Sequence, residues 1–120
     1  MKLRHIGGVA IIDVTGTIRF GPESERFRTD ILAAFDQGSK KILLNLAGLE
    51  RLDSSGLGSL VSTYASITRR GGMVKLLNPS SRVLELLNVT NTAGLFEILT
   101  DEQAAVASFG ATHPPIIIEG

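Results

Sequence analysis

The feature that most constrains this fold is a nearly continuous apolar run that leads, within a few residues, into a long amphipathic segment. The run extends from Ile42 to Leu46, and the amphipathic segment extends from Leu57 to Ile67. A short, unbroken apolar run is typical of a strand covered on both faces, as in the centre of a parallel sheet. Apolar residues at helical spacing in the second segment predict a helix. The sequence therefore predicts a buried strand followed by a helix.

Short strand-like and helical patterns alternate along the rest of the chain. Lys2 to Ile6 and Val9 to Val14 predict a hairpin closed by Gly7-Gly8, because glycine readily adopts the positive φ of tight turns. After the central apolar run, the sequence predicts a loop over residues 47–52. The other predicted elements are helices beginning after Gly21-Pro22, at Asn78 as N-cap before Pro79, and at Thr100, and short strands over residues 74–77 and 97–99. This alternation predicts an α/β fold, an open sheet that is parallel in the middle with helices packed against it.

The length of the chain, 120 residues, suits one domain with a core of ordinary size. No internal repeat, low-complexity tract or linker divides it, so we predict a single domain over residues 1–110 and a tail over residues 111–120. The tail contains Ile116-Ile117-Ile118. Because an exposed apolar triplet promotes aggregation, we expect the tail to dock on a sheet edge or on a second subunit, as in a homodimer.

Charge and composition argue against several classes of partner and chemistry. The 12 basic and 12 acidic residues balance, which argues against nucleic acid or an anionic membrane as the partner, because both require a surface of one sign. The chain has no cysteine, which excludes disulfides and thiol chemistry. No apolar run approaches the ~20 residues of a membrane-spanning helix, and His5 and His113 show no metal-ligand spacing. We therefore expect a cytoplasmic protein without a metal or cofactor.

The start of the second helix carries the residues that predict a docking surface. Asp53, Ser54 and Ser55 are of the types that commonly cap helices. From Ser54 to Thr68 no residue is charged, and the face beside the apolar stripe consists of small residues, namely Ser55, Gly58, Ser59, Ser62 and Ser66. A solvated helix face normally carries Lys and Glu. Capping by itself explains the first three residues, whereas the uncharged face beyond them indicates a surface on which a partner docks.

A serine nucleophile is the alternative from another functional class. Ser54 lies between a predicted strand and a predicted helix, as the nucleophile of an α/β-hydrolase does. The Gly-x-Ser-x-Gly spacing is not met, because Leu52 stands two residues before Ser54. Neither histidine falls in a segment predicted to return to this end of the sheet. A small serine-dependent hydrolase is therefore the disfavoured alternative, and no catalytic residue is assigned.

The stretch around Ser54 also resembles a known family. Leu44-Asn45-Leu46, followed by Leu52-Asp53-Ser54-Ser55-Gly56-Leu57-Gly58, is similar to the signature of the STAS domain, and specifically of the anti-sigma-factor antagonists. The similarity continues through Arg70-Gly71-Gly72, Asn78-Pro79 and Ala93-Gly94-Leu95-Phe96-Glu97-Ile98, so that it covers about Val9 to Phe109. The resemblance implies a mixed sheet with an N-terminal hairpin, a parallel centre and about four helices packed mainly on one face.

The resemblance further implies a regulatory binding protein that is not an enzyme. In the family, the serine directly after the motif's aspartate is phosphorylated by an anti-sigma factor that is also a serine kinase, and this residue corresponds to Ser54. The unphosphorylated form binds the anti-sigma factor and frees the sigma factor for transcription, and a separate serine phosphatase resets the switch. The residues expected to bind the partner are Asp53, Ser54, Ser55, Gly56, Gly58, Ser59 and Ser62.

One departure from the family pattern leaves alternatives open. Family members often carry Gly-Glu-Leu-Asp after the second strand, whereas this chain has Gly16-Thr17-Ile18-Arg19, with Arg19 where the aspartate would stand. If the acidic residue helps to recognise the partner, this chain binds a different partner or has lost phosphorylation. The alternatives are a STAS scaffold that is not phosphorylated and a ligand-sensing subunit of a larger complex, such as a nucleotide sensor.

Overall fold

A five-stranded mixed sheet forms the centre of the computed structural model, which describes residues 1–19 and 21–111. The strands lie in the sheet in chain order: β1 (Lys2–Ile6), β2 (Val9–Ile18), β3 (Lys41–Leu52), β4 (Met73–Leu77) and β5 (Ile98–Leu99). β1 is antiparallel to β2, and each of the other neighbouring pairs is parallel. The predicted α/β class, with an N-terminal hairpin and a parallel centre, is confirmed.

In the described part of the chain, four helices cover the sheet, three on one face and one on the other. They are α1 (Pro22–Asp36), α2 (Ser54–Arg69), α3 (Ser81–Val89) and α4 (Glu102–Ala111), with a short 3-10 turn over Ala93–Leu95 before β5. Phe27 of α1, Leu60 of α2 and Leu87 of α3 belong to the larger core. Ala105 and Phe109 of α4 pack in a smaller core on the opposite face. The prediction of about four helices mainly on one face is confirmed.

The central strands explain the two cores, because successive side chains of a strand point to opposite faces of a sheet. In β2, Ala10 and Ile12 join the larger core, whereas Val9 and Ile11 join the smaller one. β3 follows the same rule, and its Leu43 packs beneath α4. A strand covered on both faces has few positions for polar residues, which is why its sequence is nearly continuously apolar.

β3 is longer than predicted, since residues 47–52 continue the strand instead of forming a loop. Leu49 and Leu52 are buried in the larger core, and Leu52 pairs with Ile18 at the end of β2. The register between β2 and β3 shifts between Asp13 and Thr15 and again between Gly16 and Thr17. These irregularities break the strict alternation of apolar residues that identifies a strand from sequence. The extension carries the chain directly to the start of α2.

The prediction that Asn78 caps the third helix is wrong. Ser80 is the N-cap of α3, and its hydroxyl oxygen accepts a hydrogen bond from the Val83 amide at 3.3 Å. Asn78 instead has a φ of 51°, a left-handed conformation that asparagine tolerates better than most residues. Its amide donates to the Leu99 carbonyl at 2.8 Å, which prolongs the pairing between β4 and β5. The sequence predicts the cap two residues too early, because Asn followed by Pro is typical of a helix start and equally suits the left-handed turn formed at Asn78.

The tail predicted to dock on a sheet edge or a second subunit, residues 111–120, lies outside the described residues except for Ala111, which ends α4. Phe20 is also outside the described residues. The last described element, α4, buries Ala105 and Phe109 against the sheet. Within the described ranges, no helix is both long and apolar enough to cross a membrane.

A polar cluster fixes α4 to the hairpin on the smaller-core face. The Arg4 guanidinium donates to the Asp13 carboxylate through Nε and Nη2, both at 2.8 Å, and to Glu102 at 2.8 and 3.1 Å. Asn45 adds a hydrogen bond to Asp13 at 2.8 Å. The hydrogen bonds from Arg4 lower the pKa of both Asp13 and Glu102. The cluster is therefore most favourable when both carboxylates are ionised.

We expect the stability of the fold to decrease in acid because of this cluster. A carboxyl group whose pKa is lowered in the folded state stabilises the fold above its ordinary pKa, here 3.8 for Asp13, and loses that contribution as the pH falls through the folded-state pKa. Asp13→Asn should lower the free energy of unfolding at pH 7 by about 1–2 kcal/mol and should flatten its decrease below about pH 4. Urea unfolding from pH 3 to 7 measures both quantities. Asp30→Asn, which removes an exposed carboxylate of α1, is the control. An equal loss of unfolding free energy in both variants would show that the cluster around Asp13 is not the source of the acid sensitivity.

Candidate functional site

The start of α2 is capped by the aspartate of the motif. Asp53 has an extended backbone, with φ −90° and ψ −178°, and its Oδ1 accepts a hydrogen bond from the Gly56 amide at 2.9 Å. Its own amide donates to the Ile18 carbonyl at 3.2 Å, so the cap also adjoins the end of β2. The predicted helix start is confirmed. Asp53 holds the first turn of α2 in a fixed position at the carboxyl ends of two parallel strands.

Ser54 is the first residue of α2, and its side chain is exposed. No acidic residue stands in the first turn after the cap. The N-terminus of a helix carries the positive end of the helix dipole, which favours a negative group at this position. The hydroxyl is therefore accessible to a modifying enzyme, in a place where an added anion is compatible with the fold.

An exposed, uncharged stripe runs along α2 from Ser54. Ser54, Gly58 and Ser62 are spaced four residues apart, which places them on one side of the helix, and all three are exposed. A Cβ atom built on Gly58 would have no neighbour within 4 Å. We call these three residues the α2 stripe. It is flat and neutral, as the sequence indicated for part of this helix.

Other residues of the predicted docking set face the protein instead. Gly56 is buried, and a Cβ atom built on it would lie 2.6 Å from Leu52 Cδ1 and 3.0 Å from the Ile18 carbonyl oxygen. Ser59 is half-buried, with its hydroxyl oxygen 2.6 Å from that of Ser24 in α1. The Ser24 hydroxyl also donates to the Ser55 carbonyl at 3.5 Å. Close packing of α1 on α2 therefore explains part of the uncharged face that the sequence assigned to a partner.

An open cleft of about 710 Å³ lies beside Asp53, at the carboxyl ends of β2 and β3. Such an end is where open parallel sheets commonly bind ligands. The cleft is lined by Thr17, Arg19, Arg51, Leu52, Asp53, Arg82, Glu85, Leu86 and Val89. This cleft is not visible in the sequence, because Arg51 and Arg82 are far apart in the chain and only the fold brings them together. The structure leaves Val89, at the end of α3, 70% exposed at the edge of the cleft.

The described residues do not assemble the parts of a serine hydrolase. His5 pairs with Ala10, which pairs with Ile42 at the start of β3, whereas Ser54 follows the end of β3. The length of β3 therefore separates the side chains of His5 and Ser54 by roughly 30 Å. His113 lies outside the described residues. In the described part of the chain, no group of three or more His, Asp or Glu side chains could hold a metal ion.

A family model and several relatives match this chain. The family model of the STAS domain matches residues 1–105 of this chain. A relative from Thermotoga neapolitana is 36% identical over 63 residues, 52% of this chain and 56% of that protein, so the match spans about half of the relative's length. The anti-sigma-B factor antagonist of Bacillus subtilis is 28% identical over 79 residues, 66% of this chain and 72% of that protein. The anti-sigma F factor antagonist of Lysinibacillus sphaericus is 33% identical over 81 residues, 67% and 69% of the two chains.

Solved structures share the fold. The anti-sigma factor antagonist SpoIIAA in its unphosphorylated form superposes with a TM-score of 0.74 at 24% identity, covering 98% of both chains. SpoIIAA of Bacillus in the phosphorylated form gives a TM-score of 0.70 at 24% identity, covering 90% of this chain and 97% of that one. At 24% identity, these superpositions show that the arrangement of strands and helices is shared.

Proposed function

The chain belongs to the STAS domain family, and on this premise we propose that it is an anti-sigma factor antagonist that docks on an anti-sigma factor with serine kinase activity. Phosphorylation of Ser54 would switch docking off, and a serine phosphatase would restore it. The observation that carries the proposal is the position of Ser54, exposed beside the capping Asp53 at the head of the α2 stripe. The role is one of binding in transcription regulation, without enzymatic activity, in the cytoplasm.

The geometry supports a switch that acts on docking and spares the fold. A phosphate on Ser54 would add about −1.5 to −2 charges at a helix N-terminus, where the dipole favours an anion. At a closely packed interface, the same group would add bulk, would have to be desolvated, and would repel acidic groups of the partner. Asp53 already holds one negative charge next to it. Modification would therefore abolish the complex and leave the domain folded.

The relatives support the general role. Two are named antagonists of anti-sigma factors, and one structural neighbour, SpoIIAA, is described in both unphosphorylated and phosphorylated forms. We carry this role to the present chain as part of the proposal. We also propose that residues 1–110 form the functional domain and that the docking residues are Asp53, Ser54, Ser55, Gly58 and Ser62. Gly56 and Ser59 act by packing the first turns of α2 against Leu52, Ile18 and α1.

A STAS scaffold without a phosphorylation cycle is the second candidate. The observation that favours it is Arg19, whose amide donates to the Glu23 carboxylate at 3.0 Å beside the capping Asp53. An arginine replaces the acidic residue that many members of the family carry there. A scaffold would bind its partner equally well before and after treatment with a serine kinase, which separates it from the main proposal.

The docking surface can be tested with one exposed serine and one half-buried serine of α2. Ser62→Arg places a long charged side chain on the α2 stripe and should weaken binding to the anti-sigma factor by at least about tenfold, with the free energy of unfolding unchanged within about 0.5 kcal/mol. Ser59→Arg should instead lower stability, because its hydroxyl contacts Ser24 of α1 at 2.6 Å. Isothermal titration and urea unfolding separate the two effects. Unchanged affinity in Ser62→Arg would place the interface elsewhere.

A further inference from the structure

The cleft beside Asp53 combines three arginines with an exposed apolar wall. Arg19, Arg51 and Arg82 line it, together with the carboxylates of Asp53 and Glu85. Asp53 is engaged as the helix cap. Of the arginines, only Arg19 forms an ion pair within the described residues, a 3.7 Å contact with Glu23 between exposed side chains. Arg51 and Arg82 are exposed, and within the described part of the chain neither forms an ion pair.

The apolar part of the cleft comes from α3. Leu86 packs partly against the larger core, and Val89 is 70% exposed, the highest exposure among the large apolar side chains of the described residues. Covering an exposed apolar side chain upon binding is favourable because its surface leaves water. Together, guanidinium groups and an apolar wall suit a ligand that carries both carboxylates and apolar side chains.

The exposure of the arginines argues for a peptide segment over a small anion. Ion pairs between exposed groups are individually weak, and no buried polar side chain lines the cleft to hold a single anion. A segment with several carboxylates adds such contacts together and also covers Val89. Nucleic acid fits poorly, because a phosphate backbone carries no apolar side chains that would cover Leu86 and Val89.

We propose that this cleft binds a segment of the partner protein that contains both acidic and apolar residues. Arg19, Arg51 and Arg82 would contact the acidic residues, and Leu86 and Val89 would contact the apolar ones. The inference rests on the proposed function, since the segment is assigned to the partner that docks at the α2 stripe. The cleft and the stripe are joined at Asp53, which lines the first and directly precedes the second. A partner that spans both would gain electrostatic steering from the arginines and contact area from α2.

A peptide-binding experiment tests the cleft without requiring the partner. The probe is a short fluorescein-labelled peptide of alternating Glu and Leu, titrated with the full chain and followed by fluorescence anisotropy. A matched peptide with Gln in place of Glu serves as the neutral probe. We expect the acidic peptide to bind, its affinity to fall with salt, and the neutral peptide to bind at least about tenfold more weakly.

Variants assign the binding to the cleft. Arg51→Gln combined with Arg82→Gln should weaken binding of the acidic peptide by about tenfold, and Glu85→Gln should strengthen it about twofold, because it removes a repulsive charge. The control is Arg69→Gln at the far end of α2, roughly 20 Å from Ser54, which should leave affinity unchanged. The gain in Glu85→Gln is a result that mere loss of folding could not produce.

Several results would overturn the inference. These are no binding of the acidic peptide, equal binding of the neutral peptide, or an effect of Arg69→Gln as large as that of the Arg51 and Arg82 substitutions. Inorganic phosphate that displaced the peptide at equal concentration would identify a small-anion site instead. Because the assay involves no kinase, failure of the cleft inference and failure of Ser54 phosphorylation are observed in separate experiments.

Discussion

Ser54→Asp lowers the affinity of the protein for its anti-sigma partner by about 100-fold in our account. The substitution places a permanent negative charge beside Asp53, at the exposed head of the α2 stripe. The free energy of unfolding should change by less than about 0.5 kcal/mol, because an acidic residue in the first turn of a helix is compatible with the helix dipole. The anti-sigma partner is first isolated by its binding to the unmodified protein. Surface plasmon resonance then measures the affinity of each variant for this partner, and urea unfolding measures the stability of each variant.

Two matched variants control for this result. Ser54→Ala removes the hydroxyl without adding charge and should bind the partner nearly as well as the unmodified protein. Thr68→Asp, exposed near the other end of α2, adds the same charge away from the proposed interface. Equal affinity of Ser54→Asp and Ser54→Ala for the partner would refute the charge-based switch. A loss in Thr68→Asp as large as that in Ser54→Asp would show that charge anywhere on α2 acts in the same way.

Gly56→Val should produce the largest loss of stability among substitutions in the motif, about 3 kcal/mol in the free energy of unfolding. Gly56 is buried in the first turn of α2, and a Cβ atom there would lie 2.6 Å from Leu52 Cδ1 and 3.0 Å from both Ile18 Cγ2 and the Ile18 carbonyl oxygen. A branched side chain would push α2 away from the ends of β2 and β3. Because Asp53 caps the same turn, the position of Ser54 should shift as well.

Gly58→Val is the matched control, two residues along the same helix. A Cβ atom on Gly58 has no neighbour within 4 Å, so the substitution should leave stability within about 0.5 kcal/mol. It places a branched side chain on the α2 stripe and should therefore reduce partner affinity while the fold is preserved. Urea unfolding measures the stability of both variants. Similar losses of stability in the two variants would show that Gly56 is not in close contact with Leu52 and Ile18.

Much of the fold was predictable because its signals are local. The nearly continuous run from Ile42 to Leu46 reflects burial of β3 on both faces, and Gly7-Gly8 marks the hairpin. The start of α2 at Asp53 was visible in the capping residues. These features depend on neighbouring residues, so periodicity and turn chemistry suffice to identify them.

Features that depend on distant contacts were missed or assigned wrongly. β3 continues to Leu52 because it pairs with β2 across irregular register, which its own sequence does not show. The sequence assigned Ser59 to a docking surface, whereas its hydroxyl contacts Ser24, which lies 35 residues away in the chain. The arginine cleft is likewise assembled from β2, β3 and α3. In each case the partner residue is brought close only by the tertiary fold.

The most direct test of the central claim is the intact mass of the protein after co-expression with the kinases of its source cell, followed by mapping of the modified residue. Cleavage after Arg51 and Arg69 releases residues 52–69, which contain Ser54 and other hydroxyl side chains, so fragmentation of this peptide must locate the phosphate. Our account predicts one added phosphate, on Ser54, and none in Ser54→Ala. A protein that stays unphosphorylated although its anti-sigma kinase is present, or a phosphate on another residue, would contradict the account.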